Sequence, residues 1–287
     1  MTDSTEDELV RKALKNIKIP PAPHVLDKLH KELQKDDPEL DAIAEILAQD
    51  VGLSALVLRS VNSPYFGLRT KAVSIQHATS LFGLRNIVNI VAGLALRRVF
   101  EESEGANPPN FWDSPLNVAM AATAIARAVF YPRPDEAYML GLFHNAGHPL
   151  LTQHFAGYAE FMSQHINTPE QSICTAEDRQ YRVEHAVLGY FLARAWGLDK
   201  RIANVIRDHH QVKSRFAARD RGDPSELSLL AILKMAEHID KLFWGYQPDY
   251  EWLEIQDLVL NFVGLTEKDF ADLHQDIADN VLGGFTR

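Results

Sequence analysis

Cysteine is almost absent from this chain, because Cys174 is the only one among 287 residues. A single thiol excludes an internal disulfide framework and any cysteine-rich zinc or iron–sulfur site. The chain also lacks an uninterrupted apolar run of the roughly 18 residues that a membrane span needs. Its first residues are acidic, whereas a secretory signal begins with basic and then apolar residues. These absences predict a cytoplasmic protein without a membrane segment.

Positive charge is scarce as well. The 29 Lys and Arg residues are outnumbered by 39 Asp and Glu residues, which gives a formal net charge of -10. An acidic surface repels phosphate backbones and anionic lipid unless its charge is locally inverted. We therefore expect neither nucleic acid nor a membrane among the partners. Histidine, with 12 residues, is the chemically useful residue type that the chain does supply, since imidazole binds metals and carries protons near neutral pH.

Apolar residues recur at helical spacing almost everywhere, and no segment shows the sustained alternation of a half-buried strand. We predict an all-α fold of about a dozen helices in two lobes. The clearest linker combines charge, glycine and two prolines and places the lobe boundary near residues 102–111. Beyond it, helices are predicted at about 114–130, 135–144, 149–165, 176–196, 199–210, 225–244, 251–262 and 267–281.

The strongest cluster of chemically active residues is the segment 141–148, which ends an apolar helix and places His144 at a turn. His185 lies in a later helical segment and the pair His209-His210 ends the next one, so three segments could bring these imidazoles together. Neutral imidazoles suit zinc, iron, manganese or nickel, usually with carboxylates that balance the charge. The alternative is structural, since histidines at helix ends also bond to carbonyls or interact with the helix dipole. Spacing alone favours that alternative.

Several motifs occur in an order that resembles the HDOD domain over roughly residues 10–212. They are Ile19-Pro20-Pro21-Ala22-Pro23, the helix around Ile43 to Asp50, Leu58-Arg59-Ser60-Val61-Asn62-Ser63-Pro64-Tyr65-Phe66-Gly67, Ser74-Ile75-Gln76-His77-Ala78 and Leu81-Phe82-Gly83-Leu84-Arg85. The resemblance implies an all-helical, HD-domain-like fold, distantly related to metal-dependent phosphohydrolases. It also implies a bacterial signalling protein, of a kind generally thought to lack hydrolase activity. Residues 213–287 are predicted as a helical extension packed on the second lobe.

The resemblance implies a residual metal site and indicates where that site is degenerate. The family's first histidine falls on Ser114 or Pro115, and its His-Asp pair becomes His144-Asn145. Three later histidines match those of the phosphodiesterase branch of the superfamily, and a glutamate stands for the last aspartate. The predicted residual metal site consists of His144, Asn145, His185, His209, His210 and Glu237.

These departures predict a non-catalytic signalling module that acts through protein–protein interaction, with no catalytic residue and no expected cofactor. A site with few anionic donors binds hard cations weakly. Binding of a divalent transition metal by the histidines stays an alternative. A second hypothesis is a metal-dependent phosphohydrolase that acts on a nucleotide or cyclic nucleotide. A third is a sensor that binds a small phosphorylated ligand in the same cleft without cleaving it, with Arg207 and protonated histidines supplying positive charge.

Overall fold

The protein is described by a computed structural model that covers residues 17–62, 68, 70–101, 112–169, 171–218 and 222–282. Every regular element within these ranges is helical, so the predicted all-α fold is confirmed. The predicted lobe boundary at 102–111 lies outside the described residues. The α-helices in chain order are α1 (His24–Leu33), α2 (Leu40–Ala48), α3 (Val51–Val61), α4 (Ile75–Phe82), α5 (Leu84–Glu101), α6 (Asp113–Ala128), α7 (Pro134–Phe143), α8 (Gly147–His154), α9 (Tyr158–His165), α10 (Ile173–Tyr181), α11 (His185–Ala195), α12 (Lys200–Asp208), α13 (Val212–Ala217), α14 (Pro224–Phe243), α15 (Tyr250–Val263) and α16 (Glu267–Ile277).

The helices form two groups that share one continuous apolar core. Helices α1 to α5 pack mainly on one another, and α5 joins this group to the second through its contact with α7. In the second group α6 lies along α7, and α14 packs against α6, α7 and α12. The long helix α14 is therefore central to the second group, although it follows the segment that resembles the family.

Two predicted helices are each broken in the structure. The predicted helix 149–165 is wrong, because Gly157 adopts a left-handed conformation with φ 84° and separates α8 from α9. The predicted helix 176–196 is wrong in the same way, because Arg182 has φ 58° between α10 and α11. A residue in the left-handed region cannot continue a right-handed helix. The second break places His185 at the start of α11.

The apolar pair α4 and α5 is the part of the described chain with the composition closest to that of a membrane span. No single described helix is long and apolar enough to cross a membrane, and only the pair Ile75–Phe82 and Leu84–Phe100, bent by 117°, passes that test jointly. The bend lies at Gly83, whose φ of 79° ends α4. Helix α5 contributes Ile87 and Val91 to the apolar core.

Trp196 ties the start of the described chain to the second group of helices. Its side chain is only 1% exposed and packs edge-on against Phe143, with ring centroids 5.8 Å apart. Its indole Nε1 donates a hydrogen bond to the Pro20 carbonyl at 3.0 Å. One aromatic residue thus joins the segment before α1 to the end of α11.

We expect Trp196→Ala to lower the free energy of unfolding by about 3–5 kcal/mol, because truncating a buried aromatic removes apolar contact and leaves a cavity. Phe130→Ala serves as the matched control, since Phe130 is 91% exposed and should change stability by no more than about 0.5 kcal/mol. Urea denaturation measures both variants. Equal and small effects would contradict the position of Trp196.

Candidate functional site

A close approach between two helix starts forms the base of the site. His144 follows the last residue of α7, and α8 begins three residues later at Gly147. A Cβ built on Gly147 would lie 2.0 Å from the carbonyl oxygen of His185, so only glycine allows this approach. The imidazoles of His148 and His185 consequently stack, with ring centroids 3.9 Å apart.

The structure brings the predicted histidines and Glu237 together in one cluster of side chains. The Nε2 atoms of His185 and His209 are 3.4 Å apart, and His210 lies beside both rings. The ring of His144 lies edge-on to that of His209 at 5.6 Å. Glu237 on α14 places Oε1 3.6 Å from Nε2 of His144. Five of the six predicted residues therefore share one cluster, and four of them are buried.

Asn145, the sixth predicted residue, lines a cavity beside this cluster. The cavity has a volume of about 360 Å³, and its lining residues include Ser114, His144, Asn145, His148, His210 and Asp240. The Oδ1 atom of Asn145 is buried and has no hydrogen-bond partner among the described residues. The amide thus offers a neutral acceptor where the family pattern has an anionic one.

Hydrogen bonds to Nδ1 fix the orientation of the imidazoles. Nδ1 of His144 donates to the Gly141 carbonyl at 2.6 Å, and Nδ1 of His209 donates to the Ile206 carbonyl at 2.6 Å. A carbonyl can only accept, so a neutral ring in either position carries its proton on Nδ1 and leaves Nε2 as a lone pair. His185 behaves likewise, because its Nδ1 donates to a carboxylate at 2.8 Å.

That carboxylate belongs to Glu177, which also organises the neighbouring histidine. Glu177 is fully buried and accepts from the backbone N–H of His185 at 2.9 Å. Its other oxygen accepts from the hydroxyl of Tyr158, and this hydroxyl in turn accepts from Nδ1 of His148 at 2.6 Å. A metal-ligating histidine almost always donates its second ring N–H to such a group. The sequence-based prediction included neither Glu177 nor Tyr158.

Burial keeps most of these rings neutral at pH 7. Desolvation lowers the pKa of His144 to about 4 and outweighs the opposite effect of Glu237. The pKa values of His148 and His209 are well below the usual range for the same first reason, and neighbouring positive charge lowers them further. Neutral imidazoles are the form that binds metal ions.

Lys234 is buried at the same site and is only 3% exposed. Its Nζ lies 2.7 Å from Oε2 of Glu237 and 2.8 Å from Oε2 of Glu251. Neither contact has the alignment of a hydrogen bond, so the attraction is that of an ion pair. Burial lowers the pKa of the Lys234 ammonium, but the two carboxylates outweigh burial and raise the pKa above its ordinary value. The cluster thus contains its own cation.

Ser114 is one of the two residues on which the resemblance places the family's first histidine, and it bonds to a carboxylate that the sequence-based prediction omitted. Its hydroxyl donates to Asp240 Oδ2 at 2.5 Å, and Asn117 and Trp244 donate to Oδ1 at 3.0 and 3.1 Å. Burial raises the pKa of Asp240 to about 6, against the effect of these three donors. Asp240 lies three residues after Glu237 on α14, and this spacing puts both on one helix face.

Comparison with known proteins decides the family. The sequence model of the HDOD domain matches residues 19–212, which is more than half of the chain. The chain belongs to the HDOD domain family. It is also 27% identical over 205 residues to an uncharacterized protein of Treponema pallidum and 26% identical over 116 residues to the uncharacterized protein YuxH of Bacillus subtilis. These alignments cover 68% and 40% of this chain, but only 38% and 28% of the two relatives.

Solved structures share the fold at low sequence identity. An HDOD domain protein of unknown function from Geobacter sulfurreducens has a TM-score of 0.72 at 20% identity, covering 98% of this chain and 96% of its own. A protein from Shewanella amazonensis, provisionally named a phosphohydrolase, has a TM-score of 0.72 at 22% identity, covering 96% and 95%. A protein from Marinobacter aquaeolei, provisionally named a signal transduction protein, has a TM-score of 0.70 at 17% identity, covering 99% and 65%.

The imidazoles of this HDOD chain fit one transition-metal ion. Two nitrogens bound to one tetrahedral ion at about 2.0–2.1 Å are separated by about 3.3–3.4 Å. His185 and His209 hold their Nε2 atoms at 3.4 Å, and both atoms are lone-pair acceptors when the rings are neutral. Two such lone pairs have no hydrogen between them, and a cation placed between the two nitrogens would accept both. Metal binding at the predicted residues stays a prediction.

Other sets of ligand atoms also meet around His185 among the described residues. Cys174, His185 and His210 bring three such atoms within 4.8 Å of one another, as do His148, Glu177 and His185. Burial raises the pKa of the Cys174 thiol well above its ordinary value, so the thiol stays protonated at neutral pH. His148 lies in the segment 141–148, four residues after His144. This spacing is the sequence feature that could have indicated a second histidine at the site.

The carboxylates fit a pair of hydrolytic metal ions poorly. Glu237 and Glu251 are already paired with the Lys234 ammonium, and Asp240 accepts hydrogen bonds from three side chains. Hard ions such as Mg²⁺ need several anionic or neutral oxygen ligands. The donor set therefore favours nitrogen ligation over oxygen ligation.

Acidification should lower the free energy of unfolding before the carboxylates become protonated, because buried histidines titrate at higher pH in the unfolded chain. The pKa values of His144, His148 and His209 are lower in the folded protein than the roughly 6.5 of an unfolded chain, so the unfolded state binds more protons below that pH. Each group then reduces the free energy of unfolding by up to about 1.4 kcal/mol per pH unit between pH 6.5 and its folded pKa.

We expect the free energy of unfolding, measured by urea denaturation in the presence of a chelator, to fall by several kcal/mol from pH 7 to pH 5. His148→Asn should show a shallower pH dependence, by up to about 1.4 kcal/mol per unit, because one titrating imidazole is absent. A free energy of unfolding that is the same at pH 7 and pH 5 would be incompatible with neutral buried histidines.

Proposed function

We propose that this HDOD chain is a non-catalytic module that acts through protein–protein interaction in a bacterial signalling pathway. The hydrogen bond from Ser114 to Asp240 carries the proposal. The family resemblance places the first imidazole ligand of the hydrolases on Ser114 or Pro115. Ser114 instead donates to a carboxylate that accepts from three side chains in all. Beside it, Asn145 offers a neutral amide oxygen to the cavity.

Phosphoester hydrolysis requires a metal that activates water and compensates charge on the phosphoryl group. Two carboxylates of the cluster serve a different purpose in this chain, because Glu237 and Glu251 neutralise an ammonium inside the protein. An imidazole-bound ion without carboxylate ligands keeps a higher positive charge, and a single ion cannot clamp both the attacking and leaving oxygens. The likeness to a protein provisionally named for signal transduction agrees with a regulatory role.

Contact area for a protein partner is available on the surface. Several large apolar side chains stand out into solvent, among them Phe130, Val73, Val51 and Leu253. Phe130 also has a positive φ of 56°, which is uncommon for an aromatic residue. Exposed aromatic residues are enriched among the anchors of protein interfaces.

A metal-dependent phosphohydrolase is the second candidate. The observation that favours it is the set of imidazoles whose Nδ1 atoms are all held by carbonyl, carboxylate or hydroxyl groups. A sensor for a small phosphorylated ligand is less well supported, since the cavity wall includes Glu237, Asp240 and Glu251. Lys241, the cation at that wall, is itself paired with Asp249 at 2.8 Å.

We expect the purified chain to hydrolyse neither bis(p-nitrophenyl) phosphate nor a cyclic nucleotide at a rate above buffer with Mg²⁺, Mn²⁺, Fe²⁺ or Zn²⁺ present. Asn145→Asp alone should not produce activity, because Ser114 still supplies no imidazole. His144→Ala is the control for contaminating enzymes. Metal-dependent turnover by the unmodified chain that disappears in His144→Ala would establish the phosphohydrolase and refute the non-catalytic proposal.

A further inference from the structure

The ammonium of Lys234 is buried in the histidine cluster beside the carboxylates of Glu237 and Glu251. We propose that Lys234 is the resident cation of the site: its Nζ holds Glu237 and Glu251 in the place of a divalent ion, and its removal creates a carboxylate-containing cation site. This goes beyond the proposed function, because it concerns the charge balance of the interior and holds whatever partner the chain binds.

The first support is that each carboxylate has one oxygen beside the Lys234 ammonium and the other beside an imidazole. Oε2 of Glu237 and Oε2 of Glu251 lie 2.7 and 2.8 Å from Nζ of Lys234. Oε1 of Glu237 faces Nε2 of His144 at 3.6 Å, and Oε1 of Glu251 accepts from Nδ1 of His210 at 3.1 Å. Glu251 therefore connects the ammonium to an imidazole through a hydrogen bond. Oε1 of Glu237 and the Nε2 lone pair of His144 are instead two acceptors with no donor between them, so Lys234 supplies the positive charge that faces Glu237.

The second support is that Lys234 pairs with carboxylates on two different helices. Lys234 and Glu237 are one turn apart on α14, whereas Glu251 is the second residue of α15. A buried charge is costly unless it is paired, so removing the ammonium leaves the buried Glu237 beside the partly exposed Glu251 without a cation. The side chains of Lys234 and Glu237 are 3% and 9% exposed, so water compensates them poorly.

The third support is that no other described cation takes this role. Lys241 lies nearest, but its Nζ is 2.8 Å from Asp249 and 3.9 Å from Glu251. Asp249 in turn accepts a hydrogen bond from Nδ1 of His238 at 2.9 Å. Lys241 thus belongs to a neighbouring ion pair, and Lys234 alone contacts both carboxylates of the cluster at ion-pair distance among the described residues.

The test compares the full chain with Lys234→Met, which keeps an unbranched side chain that is shorter by one atom and removes its charge. Mn²⁺ is the probe, because it prefers oxygen ligands that the native chain has already neutralised. We expect Mn²⁺ to leave the melting temperature of the native chain unchanged. The same Mn²⁺ should raise that of Lys234→Met by about 5 °C or more, the shift of a site near saturation in a domain of this size.

Elemental analysis after desalting gives an independent readout. Lys234→Met should retain close to one more equivalent of Mn²⁺ than the native chain does. Lys213→Met is the matched control, since the Lys213 side chain is 63% exposed and pairs with the equally exposed Glu254. It should behave as the native chain. Equal Mn²⁺ responses of the native chain and Lys234→Met would overturn the inference.

A second variant covers the case in which Lys234→Met does not fold. Lys234→Met combined with Glu251→Gln restores the formal charge of the cluster and leaves Glu237 without an ammonium. It should fold, because the cluster again has the formal charge that it has in the native chain, and a double variant that is unfolded like Lys234→Met would overturn the inference. Phosphodiesterase turnover by the native chain would instead refute the proposed function alone, so the two failures are distinguishable.

Discussion

The structure depends on the requirement that charged and polar groups removed from water find partners inside the protein. At the centre of the second group of helices the Lys234 ammonium lies between Glu237 and Glu251. Each of these carboxylates also faces an imidazole. The packing of α14 against α15 and of α12 against α14 is therefore accompanied by one connected set of charges, not by apolar contact alone.

Backbone geometry supplies the second constraint on the site. Gly147 lets the start of α8 approach the carbonyl of His185, and Arg182 in the left-handed region ends α10 three residues before that histidine. These two local features bring the rings of His148 and His185 into contact. The Glu177 carboxylate and the Gly141 and Ile206 carbonyls then fix how the rings point.

Helical periodicity was sufficient to predict the all-α fold, because the spacing of apolar residues reports which face of a helix is buried. The family resemblance was needed for His144, His185 and His209, since spacing alone does not show which distant helix ends meet. Lys234 was missed although it lies three residues before Glu237, because a buried ion pair and an exposed helical pair have the same spacing. Arg182 carries no sequence signal for its conformation, whereas a glycine such as Gly157 does.

A crystal structure of the native chain with anomalous data at the manganese, iron and zinc edges, grown with these metals, tests the central claim most directly. The account predicts the Lys234 ammonium within ion-pair distance of both Glu237 and Glu251. It also predicts that any anomalous peak in the cluster is bound by imidazole nitrogens and not by these two carboxylates. Two peaks bridged by Glu237, with Lys234 displaced, would contradict the account.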